Sequence, residues 1–204
     1  MSDADPGCDH AGPHASEAVL PQNGQGGFAI LLLNLYSIER APMERIASFS
    51  VNHLLLEPGV YVSRQDQDPA TGAVVTTFDL RLTSPNDEPV MNTAECHTIE
   101  HLGATFLRNH AEWSSRVVYF GPMGCRTGFY LVVFGEVTSE EILPLVRELF
   151  EFVRGFEGEI PGAAPEECGN YLDQNLPMAK WLAERYLTRD LANIDERHLH
   201  YQTA

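Results

Sequence analysis

The run His97-Thr98-Ile99-Glu100-His101 constrains this chain more than any other feature of its sequence. It lies in a segment opened by Asn92-Thr93, whose apolar positions Ile99, Leu102 and Phe106 keep near-helical spacing. Side chains four apart on a helix share one face, so both imidazoles can close on a single metal ion. Glu100 falls about a hundred degrees round the helix from His101, at ~3.6 residues per turn. Its carboxylate therefore stands beside the metal, where it can move protons, rather than on the far face. Two ligands do not make a site. The fold must bring a third residue to this helix.

Two kinds of third ligand are open within Glu166-Glu167-Cys168-Gly169-Asn170. H-x-x-E-H is by itself the signature of inverted-motif metallopeptidases, which take a downstream glutamate, a role open to Glu166 or Glu167. At 204 residues, however, the chain is short for a peptidase that must also build a peptide-sized chamber. Cys168 offers the other kind. A thiolate binds zinc or iron(II) strongly, and two neutral imidazoles with one thiolate leave a fourth position for substrate.

Composition narrows the function classes. The chain is 44% hydrophobic, enough to bury one solid core, and a single domain is expected. A formal net charge of −16 argues against nucleic acid, whose phosphates need Lys and Arg clusters, and against an anionic membrane surface. Cys8, Cys96, Cys125 and Cys168 form no C-x-x-C pair and are too sparse for a disulfide-stapled secreted domain. The acidic start, Met1-Ser2-Asp3-Ala4-Asp5, is unlike a secretory signal, and no apolar run reaches the ~18 residues of a membrane span. The expected compartment is a reducing cytoplasm.

Residues 1–27 are rich in Gly, Pro, Ala, Ser and Asp, lack apolar periodicity and read as disordered. The apolar run 28–36 follows, and 1–42 as a whole reads as a dispensable extension ahead of a natural start at Met43. Residues 43–190 read as one domain and 191–204 as a C-terminal tail. Residues 74–82 alternate and are β-branched, which predicts a strand with Phe78, Leu80 and Leu82 on one face. Two more strands are expected over 117–120 and 129–137, joined by the Gly121-Pro122-Met123-Gly124 loop. Thr138-Ser139-Glu140-Glu141 is a capping box that starts an amphipathic helix through Val153, stopped by Gly155 and Gly158. A loop over 161–175 and a helix over 176–187 complete an α+β pattern with a mostly antiparallel sheet packed with helices.

Cys125 sits between Gly124 and Arg126-Thr127-Gly128, where the backbone can turn tightly and approach a ligand, and the adjacent arginine favours a thiolate. A functional thiol is the better reading there than a structural one. Cys8 and Cys96 take no role, and His10, His14, His198 and His200 read as exposed.

The blocks His97-Thr98-Ile99-Glu100-His101-Leu102, Pro122-Met123-Gly124-Cys125-Arg126-Thr127-Gly128-Phe129-Tyr130-Leu131 and Glu167-Cys168-Gly169-Asn170-Tyr171 occur in order. Together with Ala47-Ser48-Phe49-Ser50-Val51-Asn52-His53 and Phe78-Asp79-Leu80-Arg81-Leu82, they resemble the S-ribosylhomocysteine lyase (LuxS) family over about residues 43–187. That family makes the precursor of autoinducer-2. The resemblance implies a divalent metal in each subunit, iron(II) with zinc or cobalt as substitutes, held by His97, His101 and Cys168. It makes Glu100 and Cys125 the acid/base pair, places Ser48, His53 and Arg81 at the ribose end of the pocket, and puts Arg108 near the homocysteine carboxylate. It also implies a homodimer with active sites at the interface, where Ser48 and His53 serve the partner's metal.

The implied reaction walks the sugar carbonyl from C1 to C3 and then releases homocysteine by β-elimination, leaving 4,5-dihydroxy-2,3-pentanedione. Two departures touch the amino-acid end of the pocket. Tyr119 stands where many members carry Asp, and Gly121 where they carry Ser. The alternatives are the metallopeptidase and a non-catalytic metal-binding relative.

Overall fold

Alternation in the chain's β-branched runs is what builds the sheet. In this computed structural model, which describes residues 49–202, β1 spans Gly59–Gln67, β2 Val74–Arg81, β3 Val117–Pro122 and β4 Gly128–Phe134. All pairings are antiparallel, in the order β1-β2-β4-β3. The predicted strand over 74–82 is β2, and Phe78, Leu80 and Leu82 all turn inward to full burial. Opposite them in register, Phe78 faces Leu131 and Leu80 faces Phe129 across to β4, so aromatic and aliphatic pairs close the core. Strand β4 is shorter than expected, because Gly135 takes a left-handed φ of 98° and turns the chain out of the sheet.

Three helices complete the α+β fold: α1 over Thr93–Asn109, α2 over Ser139–Gly155 and α3 over Leu176–Arg185. Thr138 and Glu141 form the expected capping box at the start of α2, with Glu141 N donating to Thr138 Oγ1 at 3.3 Å and Thr138 N to Glu141 Oε2 at 2.8 Å. Helix α1 lies close on β3. A side chain at Gly103 would put its Cβ 2.3 Å from the Phe120 ring, so the glycine sets that approach. Helix α3 stops at Arg185 and continues as a π turn over Tyr186–Asp190, where one unbroken helix to 187 was expected.

Strand β1 was not foreseen, and a register shift between Val62 and Arg64 explains why: the bulge breaks its alternation. The segment after 190, expected as a tail, carries short helical turns and buries Leu191 and Leu199. Among the described residues no helix is long and apolar enough to cross a membrane. Residues 1–42, the apolar run 28–36 and Ser48 lie outside the described residues.

Candidate active site

Helix α1 presents His97 and His101 one turn apart, with their rings edge to face and centroids 4.5 Å apart. The loop between α2 and α3 returns to meet them. His97 Nδ1 donates to Asp173 O at 2.9 Å and His101 Nδ1 to Pro161 O at 2.7 Å. A carbonyl oxygen only accepts, so both protons sit on Nδ1 and both Nε2 lone pairs are left for a metal. Cys168 completes the set, with Sγ 3.3 Å from His97 Nε2 and in reach of Asn170 N at 3.4 Å. The ligand atoms of His97, His101 and Cys168 all lie within 4.8 Å of one another. Gly162 backs the cluster in a left-handed conformation (φ 73°), where a Cβ would press to 3.1 Å on His101 Nδ1.

This donor set fits a tetrahedral N,N,S site with one open position. Glu166 and Glu167 are exposed and lie outside the trio, so the fold brings Cys168, not a downstream carboxylate, to where a third ligand could bind. Glu100 stands half-buried on α1 between the two histidines.

A second cluster forms at the end of β2 and the turn into β4. Arg81 pairs in register with Gly128, and a Cβ on that glycine would fall 2.3 Å from Leu80 O, so the strands close tightly there. Arg81 is only 3% exposed; Nη2 pairs with Asp79 Oδ2, Nη1 donates to Thr127 Oγ1, and Nη1 lies 3.8 Å from Cys125 Sγ. Cys125 Sγ is 3.1 Å from Thr127 Oγ1. Burial opposes the Cys125 thiolate, but the Thr127 hydroxyl and backbone and the Arg81 charge outweigh it and hold the thiol below its ordinary value. Arg81 is thus a charge that favours the Cys125 thiolate from across the strand register, and the adjacent Arg126 has a left-handed backbone (φ 59°) in the turn.

Burial likewise pushes the Asp79 carboxyl up, while the Arg81 charge and hydrogen bonds from Arg81 and Tyr201 pull it back. His53 shares a cavity of about 30 Å³ with Asp79, Arg81 and Tyr130, and its Nδ1 bonds Val51 O at 2.9 Å. Cys96 is buried between neighbours from both clusters. Its thiol is pushed up to about 11 by burial first and then by Glu95, and it feels both Glu100 and Cys125. Arg108 clamps α1 to β3, donating to Val117 O at 2.6 Å and Val118 O at 2.8 Å. Tyr119 lays its hydroxyl over Gly121, where a Cβ would meet it at 2.1 Å. A cavity of about 840 Å³ around Glu88, Arg189 and Arg197 shares no residue with either cluster.

A family model described as S-Ribosylhomocysteinase (LuxS) matches residues 46–197. The chain belongs to the LuxS family. It is 62% identical over 159 residues to the S-ribosylhomocysteine lyase of Clostridium acetobutylicum, covering 78% of this chain and 99% of that protein. The S-ribosylhomocysteine lyases of Clostridium beijerinckii and Finegoldia magna are 61% and 58% identical over the same length and shares of each chain. Both clusters except Tyr201 lie inside the LuxS match, and so does the Tyr119–Gly121 pair. Sequence reasoning missed Asp79, Thr127 and Tyr201 as parts of the thiol cluster. Asp79 and Thr127 stood within quoted motifs and could have been found there; Tyr201 carried no signal.

Proposed function

We propose that this chain is an S-ribosylhomocysteine lyase. It converts S-ribosyl-L-homocysteine to L-homocysteine and 4,5-dihydroxy-2,3-pentanedione, the autoinducer-2 precursor, with no other reactant. The observation that carries this reading is one chain that holds both a His97–His101–Cys168 set able to hold a metal and a separate thiol, Cys125, whose ionisation Thr127 and Arg81 favour. A peptidase needs no such thiol.

His97, His101 and Cys168 would hold one divalent ion, iron(II) with zinc or cobalt as substitutes. When bound it supplies a Lewis acid that acidifies C–H bonds beside the sugar carbonyl. Cys125 Sγ, kept as thiolate, takes a proton from one sugar carbon and returns it to the next, which moves the carbonyl along the chain. The Glu100 carboxylate shuttles the matching hydroxyl protons. Once the carbonyl reaches C3, the C4 proton is acidic and the sulfur stands β to a ketone. Loss of that proton then expels homocysteine thiolate, which leaves protonated.

Arg81, with Ser48 and His53, orients the ribose, and Arg108 faces the amino-acid end. Two copies share each pocket, Ser48 and His53 serving the partner's metal. The product is formed in the cytoplasm.

The test is free thiol release from S-ribosylhomocysteine, with peptide substrates in parallel. Thiol release from the sugar thioether is expected, with peptides left intact. Peptide cleavage, or a metal-loaded protein that releases no thiol, would overturn the reading in favour of the peptidase or the non-catalytic relative.

A further inference from the structure

Tyr201 lies beyond the residues that the family model matches, yet it reaches the polar face of β2. Its hydroxyl donates to Asp79 Oδ2 at 2.9 Å. Its ring stacks on Tyr61, with centroids 4.9 Å apart and planes 10° from parallel. The segment is also seated by other contacts. Leu199 is buried, its carbonyl accepts from Ser139 Oγ at 2.9 Å, and Tyr61 donates its hydroxyl to Arg197 O at 3.2 Å.

Asp79 Oδ2 therefore takes two donors, Tyr201 and Arg81 Nη2. Asp79 Oδ1 and Arg81 Nε, by contrast, are buried with no hydrogen-bond partner among the described residues. An arginine and a carboxylate left to themselves readily close to two parallel bonds. Here they are held at one, and Arg81 Nη1 is left to face Thr127 and Cys125. The Tyr201 hydroxyl is the other donor on the oxygen that holds Arg81.

We propose that Tyr201 is a positioning residue for Cys125: by engaging Asp79 Oδ2 it keeps Arg81 in the single-bond pose that presents Nη1 to the thiolate. This rests on Cys125 being the proton carrier of the proposed reaction. Without the hydroxyl, Asp79 takes Arg81 through Nε and Nη2 together, and the guanidinium withdraws from Cys125. The charged and titratable groups facing this chain of contacts are His53 and Tyr130 along the cavity, Tyr61 beneath the Tyr201 ring, and Cys96 near Cys125.

Tyr201→Phe keeps the ring and removes the hydroxyl. In metal-loaded, full-length protein, the iodoacetamide reaction of Cys125 is followed across pH by mass spectrometry of its peptide. The midpoint for Cys125 is expected to move up by about one pH unit, the size of a weakened charge contact. A chain ending at Leu199 should show the same shift. Buried Cys96 reports on folding and should stay unreactive in both. An unmoved midpoint in Tyr201→Phe overturns the proposal, as does a Cys96 that becomes reactive, which would make Tyr201 mere packing. Turnover separates the two readings: a Cys125→Ala protein that released thiol at the parental rate would end the proton-carrier role, while the midpoint would still decide what Tyr201 does to the thiol.

Discussion

Arg81 Nη1 lies 3.8 Å from Cys125 Sγ although 44 residues separate them in the chain. Strand register makes the meeting possible, since Arg81 sits opposite Gly128 at the mouth of the turn that carries the thiol. The guanidinium is itself buried, and its charge persists there because Asp79 more than offsets the burial that opposes it. One buried ion pair thus adds to Thr127 in favouring the thiolate of an exposed cysteine.

The first prediction follows from that sign. In the proposed reaction Cys125 acts as thiolate, the form present above its titration point, and Arg81 helps hold that point low. Arg81→Met should move the acidic limb of the kcat/KM profile to higher pH, so that the loss is greatest at low pH and shrinks as pH rises. The same change strands Asp79, only 2% exposed, without its cation and should destabilise the fold by about 3–5 kcal/mol, read as a lower Tm. A limb that stays in place would remove Arg81 from the account of the thiolate.

How much of this was legible depends on whether the relation is local or crosses the fold. The metal helix and the α2 capping box could be read because their partners lie within one helical turn of each other. Cys168 could be named but not secured from spacing alone, since its approach depends on the loop that also delivers Pro161 and Asp173 to the imidazoles. The contact of Arg81 with Cys125 could not be read, because adjacency in sequence is visible and strand register is not. Alternation in β2 correctly gave the apolar face but said nothing of what covers the other. Asp79 and Arg81 are buried on it, with Tyr201 bonded to Asp79, and no periodicity reports a face that is both polar and covered.

The Tyr119–Gly121 pair should behave as one unit. A side chain at 121 meets the far end of the phenol, which can swing aside, so Gly121→Ser should cost less than about 1 kcal/mol of stability. Displacing the phenol at the proposed amino-acid end of the pocket should nonetheless raise KM several-fold with kcat little changed. Steady-state kinetics beside thermal melts checks this. An unchanged KM would show that Tyr119 does not face the substrate.

Removing residues 1–42 should leave a folded, active enzyme. The family match begins at residue 46, and the Clostridium acetobutylicum relative is covered over 99% of its length by 78% of this chain. Thiol release and size-exclusion elution of the shortened protein are the measurements. Loss of solubility or of dimerisation would show that the apolar run 28–36 belongs to the core.

If two copies share each pocket, faults placed on opposite sides of it should complement. Chains carrying His53→Ala, mixed with chains carrying Glu100→Gln, should form mixed dimers in which both faults fall in one pocket and the other is intact. Such dimers should regain about half the parental activity, through isologous pairing. Mixtures that stay inactive, although native mass spectrometry shows the mixed dimer, would overturn the shared pocket.

The two cysteines that look alike in sequence should part company on substitution. Cys168 Sγ sits with His97 Nε2 in the ligand trio, so Cys168→Ala should strip the protein of metal, and activity should go with it. Cys125 contacts Thr127 and Arg81 and no member of that trio in its hydrogen bonds, so Cys125→Ala should keep a full metal complement and still bind substrate. It should lose roughly a hundredfold or more in thiol release, the size of a missing acid/base group. Glu100→Gln should resemble Cys125→Ala, because Glu100 stands beside the trio without joining it. Elemental analysis and a colorimetric thiol assay decide the matter. A Cys125→Ala protein without metal, or a Cys168→Ala protein that retained it, would reverse the assignment of ligand and proton carrier.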